Sequence, residues 1–229
     1  MPFMFFDPLY IYLVLPAVLL AMLAQFRVSS SFKKYSQEIT QKGVSGADAA
    51  CEVLRRAGID DVRIERVQGH LADHYDPREN VIRLSEAVHD AQSVAAVGVA
   101  AHEAGHAIQY AHGYFPIRLR MAILPVTNIG SKLALPLVLI GILFEMMQLV
   151  NIGILLFGTV AVFQLITLPV EFNASRRAIT ALSESGLLTA DEIPGSKKVL
   201  SAAALTYVGA LAVSLAQLLR FVMISRRRR

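Results

Sequence analysis

The chain has 229 residues, 55% of them hydrophobic and only 17% charged, and a formal net charge of +4. A water-soluble domain carries about a quarter charged residues, and here the apolar residues are gathered in blocks, so composition excludes an ordinary soluble protein and points to a domain with membrane elements attached. Arginines crowd the end of the chain (Arg220 and residues 226–229) without interleaved aromatics, which reads as an anchor on anionic lipid headgroups and not as a nucleic-acid site. Cys51 is the single cysteine, so no intrachain disulfide can form.

The first apolar block, residues 9–26, approaches the roughly 20 residues that span a bilayer. Its positive charges, Arg27, Lys33 and Lys34, follow the block, whereas a cleavable signal carries them in front. Residues 1–28 are therefore expected to be a retained transmembrane anchor with its N-terminus outside.

Residues 29–120 change to the composition of a soluble, catalytic part. Ser45 with Ala50, Val53, Leu54, Ala57 and Gly58 predicts a capped amphipathic helix. Three short β-branched or alternating runs, residues 62–67, 70–75 and 80–84, are separated by Gln68-Gly69 and Asp76-Pro77-Arg78 and predict a small meander. Ser85 is expected to cap a turn of helix, and Ser93 to open a longer one. Because the last strand leads almost directly into that helix, a sheet edge is expected along the cleft, where main-chain hydrogen bonds would hold an extended peptide.

Residues 94–101 are small and apolar, so the helix they begin is buried, and it carries His102-Glu103-Ala104-Gly105-His106. Residues four apart share a helix face, so both imidazoles can reach one ion while Glu103 borders its open position. This is the zincin pattern: two neutral histidines bind Zn²⁺, and the glutamate takes a proton from water there. Buried without a cation, the carboxylate would be costly.

Residues 133–147 and 152–170 predict a membrane hairpin, the segment 121–170, with Glu145 near its far tip. Two crossings return the chain to the side it left, and the first charge it then presents is Glu171. A catalytic zinc needs three protein ligands. His112 is one candidate, but Gln109 favours continuation of the helix, which would put His112 about 9 Å beyond His106 along the axis. Glu171 is the better third ligand, at the head of a segment 171–198 whose helix should stop at Gly186. Residues 199–229 form a last apolar stretch with the basic tail.

The runs Ala101-His102-Glu103-Ala104-Gly105-His106-Ala107-Ile108-Gln109, Pro169-Val170-Glu171-Phe172-Asn173-Ala174-Ser175 and Asp73-His74-Tyr75-Asp76-Pro77-Arg78 resemble the bacterial neutral zinc metallopeptidases of the YugP type, distant membrane relatives of the HtpX gluzincins. The resemblance covers nearly the whole chain. It implies zinc on His102, His106 and Glu171, with Glu103 as general base. Other gluzincins carry, four residues after the glutamate, an aspartate that orients a ligand histidine; Ser175 stands there, able to accept an imidazole N–H without charge.

The expected fold is an α+β membrane protein: a zincin-like, minimal gluzincin core with a small meander, fused to about four membrane helices. The expected function is a membrane zinc metalloendopeptidase acting on membrane or membrane-proximal proteins. The alternative is a non-catalytic zinc-bound scaffold or chaperone, which a fourth protein ligand from His112 or His74 would mark. Candidate donors to the oxyanion are Tyr207, alone in a run of small residues, and His74 or Tyr75. No pair of broken helices suggests a transporter. Lysines and arginines flanking the membrane blocks on the catalytic side favour a multi-pass protein of the cell membrane with its site towards the cytoplasm.

Overall fold

The computed structural model describes residues 8–69 and 72–227, Arg227 by its backbone alone. His70, expected to begin the second strand, and Arg228 and Arg229 of the tail lie outside the described residues. A π-helical turn, Tyr10–Val14, leads into α1 (Leu15–Tyr35). There follow α2 (Gly46–Arg56), β1 (Arg63–Val67), β2 (His74–Asp76), β3 (Val81–Ser85), α3 (Glu86–His89) and α4 (Val94–Ala111). Three long helices complete the chain, α5 (Phe115–Leu143), α6 (Met147–Ser185) and α7 (Ile193–Arg227).

The chain divides into two units. One takes the chain as far as Ala24, Arg118–Leu168 and everything from Leu205; the other takes Gln25–Ile117 and Pro169–Ala204. Among the described residues four helices, Tyr10–Tyr35, α5, α6 and α7, are long and apolar enough to cross a membrane. In the first unit a turn containing Glu145, in left-handed conformation at φ 57, joins α5 to α6. The two helices run antiparallel in close contact: a Cβ on Gly153 would stand 2.8 Å from the Ala134 carbonyl oxygen. Small residues let membrane helices approach in this way, since lipid offers no hydrophobic drive for their association. Arg220 departs from the expected exposed anchor. It is 5% exposed, with its guanidinium over the Tyr10 ring, because it falls about two turns inside α7 on a face the helix buries.

The second unit is built around α4. Ser45 and Asp48 form a reciprocal capping box that starts α2, and the Ser93 hydroxyl accepts from the Ala96 N–H to start α4. Alanine and glycine line most of α4, so its neighbours pack close, and Ala96, Ala100, Ala101 and Ala104 are buried with Val53, Leu54, Ile82 and Leu84.

The sheet is not a meander. Its order is β1-β3-β2, with β1 parallel and β2 antiparallel to β3. Val81, Ile82 and Leu84 are fully buried, and the most apolar of the three runs belongs in the centre, flanked by the more polar ones. Being central, β3 has no free edge to offer a cleft, contrary to the expectation. Nor does the Ser85 side chain cap α3: its hydroxyl lies 3.0 Å from Asp73 Oδ1, which also accepts the Ser85 N–H at 2.7 Å and so ties the start of β2 to the end of β3.

Candidate metal centre

His102 and His106 lie one turn apart on α4, their rings edge to face with centroids 4.6 Å apart. Opposite them runs α6, continuous through Pro169, so Glu171 is not in the first turn of a new helix but well inside a long one. The two helices meet at Gly105, where a Cβ would stand 2.7 Å from the Ala174 carbonyl oxygen. Only glycine permits this approach, and the approach lets Glu171 reach both histidines.

The reach has the dimensions of a tetrahedral site. Glu171 Oε2 lies 3.3 Å from His102 Nε2 and 3.6 Å from His106 Nε2, and the three donors lie within 4.8 Å of one another. Ligands about 2.0–2.2 Å from Zn²⁺ stand about 3.3–3.6 Å apart at the corners of a tetrahedron, whereas a direct charge-assisted hydrogen bond would close to about 2.7–2.9 Å. Glu171 is 3% exposed. Burial pushes the His106 imidazolium down, but the facing Glu171 carboxylate and the charge of Glu103 outweigh it, and the pKa is raised. The cluster therefore favours positive charge where its three side chains meet, as a divalent cation would supply. The donor set of two imidazoles and one carboxylate fits zinc.

The outer nitrogens are also engaged. His102 Nδ1 is 3.1 Å from the Ser175 hydroxyl, and His106 Nδ1 is 3.1 Å from Gln109 Oε1. Gln109, fully buried, donates through Nε2 to the Val170 carbonyl at 2.8 Å and to Asn173 Oδ1 at 3.0 Å. In the sequence Gln109 reads only as a helix former. Its position three residues beyond a candidate ligand, polar on a face that must be buried, was the available signal.

Glu103 is 8% exposed and has no hydrogen bond or ion pair among the described residues. His112 caps the C-terminus of α4 and is not in the metal group. His74 is not in it either: it is exposed on β2, its Nδ1 2.7 Å from the Ala72 carbonyl oxygen. Strand alternation sends His74 to the face opposite Tyr75, and it is Tyr75 that meets Tyr110 of α4, rings 6.2 Å apart. The Tyr75 hydroxyl donates to Asn80 Oδ1 at 2.8 Å, and burial pushes its pKa up to about 12. Tyr207 lies on α7 in the other unit, half-buried.

Comparison with known proteins identifies the family. Residues 10–226 match the model of a family described as "Putative neutral zinc metallopeptidase". The chain is 49% identical over 216 residues, 94% of its own length and 96% of the relative's, to the "Putative membrane protease YugP" of Bacillus subtilis (strain 168). No solved structure matches it.

Proposed function

Because this chain belongs to the "Putative neutral zinc metallopeptidase" family, we propose that it is an integral membrane endopeptidase that hydrolyses peptide bonds of membrane or membrane-proximal proteins. The observation that carries the reading is the convergence of His102, His106 and Glu171, with an unpartnered carboxylate, Glu103, beside them. Zn²⁺ held by these three donors would polarise the scissile carbonyl and lower the pKa of water at the position left open. Glu103 takes the proton of the attacking water and passes it to the leaving amine. Three protein donors leave room for substrate, the arrangement of catalytic rather than structural zinc.

An extended peptide would pair with the outer edge of β2, which packs on α4 and has no strand partner but β3 among the described residues. For the oxyanion the sequence offers Tyr207 and His74 as candidates, and substitution distinguishes them. Tyr207→Phe should lower turnover and keep the zinc; unchanged turnover removes it from the mechanism.

The site faces the cytoplasm in this reading. Arg27, Lys33, Lys34, Lys42, Arg118, Arg120, Lys132, Arg176, Arg177, Lys197 and Lys198, read as lying near the membrane ends on the site's side, outnumber the arginines of the tail. Cys51, the single cysteine, is exposed on α2 and reports this directly. An impermeant maleimide should label it in opened cells and not in intact ones.

The test of activity compares wild-type protein, a chelated sample and Glu103→Gln on casein, with zinc measured on each. Glu103→Gln should keep its zinc and lose hydrolysis; hydrolysis that survives the substitution ends the enzyme reading.

A further inference from the structure

Gln109 sits behind His106, and every hydrogen bond it makes has a direction dictated by its partner. The Val170 carbonyl can only accept, so the end of the Gln109 amide 2.8 Å from it must be the NH₂. The Arg177 Nε can only donate, and it lies 2.8 Å from Asn173 Oδ1; this turns the Asn173 oxygen towards the Gln109 NH₂ as well, at 3.0 Å. With its nitrogen committed twice, Gln109 presents an oxygen to His106 Nδ1 at 3.1 Å. An amide oxygen can only accept, so Nδ1 must carry the ring proton, and Nε2 keeps the lone pair that points at Glu171.

No such chain stands behind His102. The Ser175 hydroxyl at 3.1 Å both donates and accepts, and leaves the choice of tautomer to the ring.

We propose that Gln109 is a positioning residue that holds His106 in its Nδ1–H tautomer, and that Asn173 and Arg177 form the outer part of the same device. The proposal rests on the metal reading for its purpose but not for its test, because the tautomer exists without the ion. Outer partners of ligand histidines are worth about 10–100-fold in metal affinity, and a partner that fixes the tautomer belongs at the upper end of that range. The rear partner therefore ranks the ligands: losing Gln109 should harm binding more than losing the Ser175 hydroxyl.

The experiment uses the full chain, metal-free, with ¹⁵N-labelled histidine, at pH 9 and in the Glu171→Gln background, where that carboxylate cannot hold a second proton on the ring. His106 should show its proton on Nδ1, and Gln109→Leu should give a mixture of tautomers. Asn173→Leu, which removes one of the two amide anchors and leaves Gln109 in place, should give a smaller mixture and serves if Gln109→Leu does not fold. On protein with Glu171 intact, chelator competition should find zinc binding weakened about 10–100-fold by Gln109→Leu and less by Ser175→Ala. A proton on Nε2 in the parent protein, or a pure Nδ1–H signal in both leucine variants, overturns the proposal. Absence of zinc binding by the wild-type protein would defeat the metal reading alone, with the tautomer result still standing.

Discussion

The α4–α6 contact and the three-stranded sheet belong to the same unit and both carry polar side chains, yet they use them in opposite ways. Between the helices, Glu171, His106 and Gln109 are buried, and each has partners aimed at it from the facing backbone or side chains. On the sheet, Arg83 meets Glu65, Asp76 and Glu79 on the solvent side, while the opposite face presents Ile82 to the core. Three acidic partners make any one of them replaceable. Polar groups in a buried contact have no water to fall back on, so position there is stringent, whereas at the surface solvent compensates for what a substitution removes.

Glu171→Gln should break the stringent side most completely. It keeps the volume and removes the charge and one of three donors, so the loss in zinc affinity should exceed the roughly 10–100-fold that outer partners contribute. Equilibrium dialysis against a zinc buffer checks it, and stoichiometric zinc in the variant would place the third ligand elsewhere.

Gly105→Ala comes next and touches no ligand. Its methyl would lie 2.7 Å from the Ala174 carbonyl oxygen, so α4 and α6 must separate. Overpacking of this kind costs about 1–3 kcal/mol, and a shift of about 1 Å near a reacting centre costs about a hundredfold in rate. Thermal unfolding and casein turnover should both fall, with zinc affinity following. A variant with full activity would mean that the helices tolerate more slack than their contact suggests.

How much of this the sequence disclosed depended on how local the cause was. The His102–His106 face follows from helix periodicity, and the caps at Ser45 and Ser93 from residue type, since both are settled within one turn. Glu171 was reachable at 65 residues' distance only because the apolar blocks between it and His106 could be counted as an even number of crossings. Strand order was not legible: β1 and β3 pair across the whole of β2, and nothing in three short runs says which lies in the middle except that Val81, Ile82 and Leu84 make the last run the most apolar. Gln109 escaped for a related reason. A glutamine suits the helix interior, and its task appears only when Val170 and Asn173 arrive from another helix. Arg220 looked like part of a tail because sequence proximity to the terminal arginines says nothing of which helix face is buried.

The smallest effect belongs to the sheet. Arg83→Gln removes three ion pairs from a side chain that is 23% exposed, against acidic partners of which Glu79 is more than half exposed. Exposed pairs contribute about 0–1 kcal/mol each and less in salt, and Glu65 retains Arg63 as an alternative partner at 2.7 Å. The apparent melting temperature should therefore drop slightly, by an amount that shrinks as salt is added, and zinc affinity should stay within about the scatter of a neutral surface change, around 0.5 kcal/mol. A loss of zinc in this variant would mean that the register of β2 on β3 reaches the metal through α4, and the two regions would then have to be treated as one.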